Sequence, residues 1–407
     1  MRVWIINYYT GPNCSNPRYL EFAKHFKAKG WDVLTFYANY KGPETDPLFN
    51  RRKEGEFDYV HVKVPHYVGN GLKRMYSIWK FAQTIKKHVD EFEKPDVILH
   101  NVHAPFDYPV VKAANKLGAK YISEVWDLWP DNFANFGMLS RSNPVMKVFY
   151  RVERWIYEHA DQLVFTIPGA LQYIQDKGWT TNRGGRIDMT RVHYINNGVN
   201  LDQFDKDRDS YPRKDEDLNL NDIFKIVYLG AVNYANHVKL LIDAAALLQY
   251  DMNYHFFIYG NGTQREELEK YVKEKQISNI HFKEEGIPLC EVAWLVSNAT
   301  VNIMTYDSRF GYMGVSSGKL FQYLAAGKPI VCNINIAYEN LIRDNELGVA
   351  ENITTPEALS QAIRNCTEQP SYMYQGMCDR VRKTAEQFDY KKLAAEEIKV
   401  VEAALAN

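Results

Sequence analysis

Short apolar runs rich in Val, Ile, Tyr and Phe recur along the chain. They alternate with longer stretches in which apolar side chains return every third or fourth position. The first pattern predicts strands buried on both faces of a parallel sheet, and the second predicts the helices that cover them. In the first half the strands fall at 3–9, 32–38, 59–64, 97–101, 120–126, 163–167 and 192–196. Between the first two, Leu20, Ala23, Phe26 and Lys27 stand at helical spacing, and Gly30 ends the helix. This is a first βαβ unit.

The alternation lapses at 202–222, DQFDKDRDSYPRKDEDLNLND, which reads as a polar interdomain linker. A second series of strands follows at 225–230, 255–260, 280–283, 301–306, 329–334 and 349–352, and a helix at 390–406 closes the chain. The expected division is an α/β domain over 1–205 and another over 206–389, with the terminal segment 390–407 packing back on the first. A chain of 407 residues suits two domains. Its formal charge of −1 lacks the basic excess of a nucleic-acid binder, so no nucleic acid is expected as a partner. The charge is uneven: the first 205 residues hold 27 basic and 22 acidic side chains, and the rest hold 22 and 28. An acidic membrane surface or a lipid-linked anion would be drawn to the first half. No apolar run is long enough to span a bilayer, and the start at Met1 leads directly into a strand rather than a secretory signal, so a cytoplasmic protein is expected. The five cysteines lack C-x-x-C spacing, which argues against a disulfide framework or a zinc site.

The most informative segment is 314–331, GVSSGKLFQYLAAGKPIV. A small-residue loop enters a helix near Ser316 or Ser317 and leaves it through Gly327 into a buried strand. The first amides of such a helix are open, and with the helix dipole and Lys319 they form an anion site suited to a diphosphate. An ordinary loop, helix and strand with a capping Ser and a solvated Lys is the alternative.

The run KLFQYLAAGKPIV resembles the donor-binding segment of family 4 glycosyltransferases, and VHYINNGVN at 192–200 is similar to that family's V-x-x-I-x-N-G-V-[DN]. ADQLVF at 160–165 resembles its A-D-x-[IL]-[VI] strand, and EVWDLWPD at 124–131 the E-x-x-D-L-W-P of its O-antigen and capsule branch. The resemblance implies a GT-B fold, two Rossmann-like domains facing a cleft, with the nucleotide-sugar held by the second and the acceptor by the first. In that family two glutamates seven residues apart serve the sugar and the ribose; here Gly314 and Gln322 stand in their places. Gln322 retains hydrogen-bonding capacity without the charge, whereas Gly314 replaces nothing. An Arg and a Lys that reach the diphosphate in many relatives, just beyond the first strand of the second domain, are Ala231 and Asn236. Neutralisation then falls to Lys319, the helix dipole and Arg309, with Asn236 as a neutral phosphate donor or a helix cap.

The resemblance adds further donor-side candidates: Gly230, Tyr259, Gly260 and Gly262 at strand ends, Glu285 and Gly286 near the base, and Ser316, Ser317 and Gly318 at the helix start. Lys319, Gln322 and Asp127 of the D-L-W-P segment are the catalytic candidates, Asp127 having the alternative of a cap before Pro130. On the acceptor side stand Gly11 and Asn13 after the first strand, His100 and His103 after another, and Glu124. The two histidines could equally be core or surface residues. Asp205, Asp207 and Asp209 show D-x-D spacing, but in a polar run rather than at the end of a buried strand, so no metal or other cofactor is expected.

These features predict a retaining transferase of hexosyl or N-acetylhexosaminyl type. It would move a sugar from a UDP-sugar or GDP-sugar to a glycan or lipid-linked acceptor of bacterial surface polysaccharide, in the cytoplasm and peripherally at the inner face of the membrane. Two rivals share the fold: a nucleotide-sugar epimerase, which would need carboxylates that Gly314 does not supply, and a binding or scaffold subunit without catalysis.

Overall fold

The computed structural model describes the chain except Pro12, Asn13, Ser15, Lys41, Glu44, Asn70, Phe136, Glu216, Asn221, Met252, Phe310, Gly311, Tyr312 and Asn407, and the side chain of Asn219. It divides into unit 1, Met1–Asn196 with Tyr390–Asn407, and unit 2, Asn197–Asp389.

Unit 1 contains β1 (Arg2–Ile6), β2 (Asp32–Asn39), β3 (Phe49–Glu54), β4 (Phe57–Lys63), β5 (Val97–Asn101), β6 (Lys120–Val125), β7 (Gln162–Phe165) and β8 (Val192–Tyr194). They form one sheet in the order β3-β4-β2-β1-β5-β6-β7-β8, parallel except for the β3–β4 pair. Val3 and Ile5 of β1, Leu99 of β5 and Ile122 of β6 are fully buried. Phe22 and Phe26 of the helix Arg18–Ala28 cover them, together with Leu393 and Val401 of the terminal helix Tyr390–Ala406. The terminal helix therefore completes the core of unit 1.

Unit 2 contains β9 (Phe224–Leu229), β10 (Tyr254–Tyr259), β11 (Ile280–Phe282), β12 (Val301–Met304), β13 (Ile330–Cys332) and β14 (Gly348–Ala350). Their order, β11-β10-β9-β12-β13-β14, is that of a doubly wound dinucleotide-binding sheet. In both sheets the order reverses beside the first strand, at β1/β5 and at β9/β12. Loops at the carboxyl ends of such a pair diverge to opposite faces, and the crevice left between them is where ligands of these folds bind.

Two expectations are corrected. The strand β3, sequence FNRRKE, was not expected, because an edge strand open to water lacks an apolar run. The supposed linker at 202–222 is largely folded: the helix Leu201–Ser210 buries Leu201 and Phe204 and is capped by Asn200, whose side chain accepts from Gln203 N. The division accordingly falls at 196/197 rather than 205/206.

Candidate donor and acceptor sites

At the β9/β12 crevice of unit 2 the helix Gly318–Ala326 begins. Ser317, its N-cap, is extended (φ −75°, ψ 128°) and its side chain makes no capping bond; the Leu320 amide donates to the Ser317 carbonyl, and the amides of Gly318 and Lys319 have no partner among the described residues. Nothing lies within 4 Å of a Cβ placed on Gly318. Lys319 follows. The residue is half-buried, but its ammonium is removed from solvent and has no hydrogen-bond partner among the described residues. Its Nζ lies 5.0 Å from the ring centroids of both Tyr228 and Tyr306. A Cβ on Gly230 would stand 3.1 Å from that nitrogen, so glycine makes the room. Burial pushes the Lys319 amine down to about 8, with Cys332 acting weakly in the opposite direction. A buried cation without an anion is costly, and the arrangement becomes economical once a phosphate arrives.

Gln322 stands three positions on, one turn along the same face, half-buried and without a side-chain hydrogen bond to the described residues. Ser316 is tied to Asn197, whose Nδ2 donates to the Ser316 carbonyl at 2.8 Å and to its hydroxyl at 3.0 Å. The two motifs at 192–200 and 314–331 thus meet within unit 2. Gly314 has φ +100°, a conformation in which a glutamate would be strained, so the departure there is one of backbone as well as side chain.

Other donor-side candidates are committed elsewhere. Arg309 forms a two-pronged ion pair with Asp307, at 2.7 Å and 3.0 Å, and so does not bring a spare charge to a phosphate. Asn236 Nδ2 donates to the Ala231 carbonyl at 2.7 Å, bracing its own turn rather than capping the next helix. Tyr259 is fully buried with its hydroxyl on Asp215 at 2.7 Å, which leaves only its backbone at the loop. At Gly260 and Gly262 a Cβ would collide with the Gly230 and Val232 carbonyls, so loop packing accounts for these glycines. Glu285 accepts from Asn261 Nδ2 at 2.5 Å, and Gly286 lies beside it in an exposed loop.

In unit 1, Asp127 occupies the turn after β6, exposed and without a hydrogen bond to the described residues, so it is not a cap. Partial desolvation in that turn raises its carboxyl, while His103 and Arg74 act in the opposite direction. His103, 4% exposed, joins His100, 2% exposed, around the buried Asp107. Both His100 nitrogens are engaged, by Tyr121 and Asp107, which makes it a support rather than a ligand contact. Glu124 is corrected too: it is fully buried, bonded to Arg18 Nε at 2.6 Å and to Trp126 Nε1 at 3.1 Å, and is not open to an acceptor. A Cβ on Gly11 would meet the Tyr37 ring at 2.8 Å, so packing requires that glycine. Asn13 lies outside the described residues. Among the described residues no group of three or more His, Cys, Asp or Glu is placed to hold a metal ion, and no helix is long and apolar enough to cross a membrane. The D-x-D aspartates are engaged by Arg208, Arg382 and Gln203.

Tyr228, Tyr306, Asp107 and Arg74 were not anticipated. The H-x-x-x-D spacing of His103 and Asp107 was the one available signal. The tyrosines fall in the expected strands 225–230 and 301–306, where an aromatic residue adds no separate signal.

Two doubly wound sheets, each with a crevice beside its first strand, are the arrangement of the GT-B fold. The pattern described as Glycosyltransferase Family 4 matches residues 18–203, and that described as Glycosyl transferases group 1 matches residues 211–388. The chain belongs to the family 4 glycosyltransferases. It is 24% identical over 387 residues to the putative glycosyltransferase EpsD of Bacillus subtilis, covering 93% of this chain and 91% of that one. WaaG, a glycosyltransferase involved in lipopolysaccharide biosynthesis, has a similar solved structure: TM-score 0.70, 17% identity, 98% of this chain and 99% of that one covered. So does the E. coli trehalose-6-phosphate structure bound with UDP-2-fluoro glucose: TM-score 0.73, 10% identity, 99% of each chain covered.

Proposed function

We propose that the protein is a retaining glycosyltransferase. It moves a hexosyl or N-acetylhexosaminyl group from a UDP-sugar or GDP-sugar to a glycan or lipid-linked acceptor of bacterial surface polysaccharide, without a metal ion. The observation that carries this reading is the buried Lys319 ammonium, without a hydrogen-bond partner among the described residues, at the start of a helix in the β9/β12 crevice. As the bond from sugar to phosphate breaks, negative charge gathers on the departing diphosphate. Fixed amides of Gly318 and Lys319 and the Lys319 cation meet that charge in a dry setting, where it counts for more than in water. An approaching anion also raises the Lys319 pKa from about 8, so the cation is in place at neutral pH.

Gln322 offers its amide to the ribose hydroxyls. Asp127, without a hydrogen bond to the described residues, serves the transferred sugar or the acceptor hydroxyl. The UDP-sugar in the E. coli structure and the lipopolysaccharide role of WaaG support the choice of donor and pathway class. The basic excess of the first half favours an anionic lipid-linked acceptor at the inner face of the cell membrane. Gly314 and the paired Arg309 favour one rival, a non-catalytic binding subunit. Incubation with a panel of UDP-sugars and GDP-sugars, with and without lipid-linked acceptor, separates them. Acceptor-dependent release of UDP or GDP is expected, whereas nucleotide binding without turnover would establish the rival, and an epimer formed without acceptor would establish an epimerase.

A further inference from the structure

The crevice of unit 1, between β1 and β5, is approached by the segments leaving those strands, which carry Tyr8, Tyr9 and His103. The His103 ring meets Tyr9 and Trp129 edge-on, with centroids 5.5 Å and 5.3 Å away. Arg74 lies over both of these rings, at 5.4 Å and 5.2 Å, and its Nε donates to the Tyr9 hydroxyl at 2.8 Å, which holds the two aromatic walls in place.

With both rings neutral, the buried chain of polar groups behind His103 has one consistent arrangement of protons. Asp107 Oδ2 lies 3.3 Å from His100 Nε2 and 3.4 Å from His103 Nδ1, and it accepts the His103 backbone N–H as well. A carboxylate only accepts, so both facing nitrogens carry hydrogen. Neutral His100 then has a bare Nδ1, which accepts from the Tyr121 hydroxyl at 2.7 Å. Burial alone would raise the Asp107 carboxyl, but the N–H groups that His100 and His103 turn toward it hold it well below the ordinary range, so it stays ionised. Neutral His103, with its hydrogen on Nδ1, presents Nε2 across the ring as a bare acceptor, and that nitrogen has no hydrogen bond among the described residues. The Asp127 carboxylate, which His103 and Arg74 influence electrostatically, is a second acceptor nearby. Two acceptors beside Arg74, whose Nε is engaged by the Tyr9 hydroxyl, suit a donor of hydrogen bonds such as a hydroxyl-bearing sugar.

We infer that Asp107 is a positioning residue: by fixing the hydrogen of His103 on Nδ1 it presents Nε2 to a hydroxyl of the acceptor sugar in the unit 1 crevice. The sugar's role as acceptor rests on the proposed transferase function, but binding of the ring does not. The test uses the full chain and methyl glycosides of glucose, galactose, mannose and N-acetylglucosamine as probes, with affinities from NMR titration. UDP and GDP affinities are measured in parallel by calorimetry. At least one glycoside should bind, and Asp107→Asn and His103→Ala should each weaken it about tenfold, the usual effect of losing one buried hydrogen bond. Nucleotide affinity should not change. His103→Gln, whose amide oxygen also accepts, should recover part of the loss, which a merely structural role would not predict. Ring ¹⁵N spectra should show the Nδ1–H form of His103 in the parent and its loss in Asp107→Asn. Failure of every glycoside to bind, equal binding by the variants, or an Nε2–H form in the parent would overturn the inference. Glycoside binding without any nucleotide binding would overturn the transferase reading and leave this one standing.

Discussion

Replacing Lys319 by Met removes the buried charge while keeping most of the side-chain volume between Tyr228 and Tyr306. Two opposite effects follow. A charged hydrogen bond to a diphosphate contributes about 1.5–3 kcal/mol, so UDP or GDP should bind roughly 10- to 150-fold more weakly. Without nucleotide, the parent bears the cost of a buried ammonium. A descent from the ordinary 10.5 to about 8 corresponds to about 3 kcal/mol as an upper figure, and the half-buried stem reduces the expectation to about 1–2 kcal/mol. The direction with pH is fixed by the lowered pKa. Below about 8 the amine is charged both folded and unfolded, and the penalty is complete. Between about 8 and 10.5 the folded form alone sheds its proton, so the parent gains stability as pH rises. Lys319→Met should therefore be more stable than the parent at pH 7, with the advantage fading toward pH 10.5. Calorimetry with UDP and GDP and denaturant unfolding at two pH values measure both effects. Unchanged nucleotide affinity together with unchanged stability would refute the reasoning.

Three further outcomes are expected. Gln322→Glu should keep donor kcat/KM within about tenfold or raise it, and Gln322→Ala should be worse than either, because a buried ribose hydroxyl without a partner costs about 1–3 kcal/mol; an Ala variant equal to the parent would remove Gln322 from the site. Turnover should survive EDTA, and loss restored by Mn²⁺ or Mg²⁺ would return the D-x-D run to consideration. Burial, reinforced by Glu124, raises the Glu397 carboxyl to about 8 with both oxygens unpaired. The parent should thus lose stability as pH climbs from the ordinary carboxylate range toward that value, since only the unfolded chain releases the proton there. Glu397→Gln should flatten this slope and be the more stable protein at pH 8, which unfolding curves at pH 5 and 8 would check.

The parallel strands were legible because burial on both faces makes each a continuous apolar run, as in WII of β1 or FFIY of β10. Where that condition fails the pattern is silent: β3 pairs through its backbone at a wet edge, so its side chains FNRRKE show nothing. The helix Leu201–Ser210 was concealed by the opposite effect, because two buried residues and an Asn cap suffice to dock an otherwise charged segment. The start of the helix Gly318–Ala326 was legible since a small-residue loop entering a helix has local chemistry of its own, whereas Gln322 was singled out only by the resemblance. Glu124 was misassigned because its partner Arg18 lies 106 positions away, and the spacing within EVWDLWPD carries no trace of that ion pair. Arg309 and Asn236 likewise looked available until the Asp307 carboxylate and the Ala231 carbonyl were seen to hold them. Long-range partners decide whether a polar side chain is free for a ligand, and local sequence does not display them.

The central claim is that unit 2 grips a nucleoside diphosphate at the start of the helix Gly318–Ala326. A crystal structure with UDP tests it most directly. The diphosphate should lie within hydrogen-bond distance of Lys319 Nζ and the amides of Gly318 and Lys319, with the ribose beside Gln322. A diphosphate bound elsewhere, with the Lys319 amine still buried between the two tyrosines and unpaired, would contradict it.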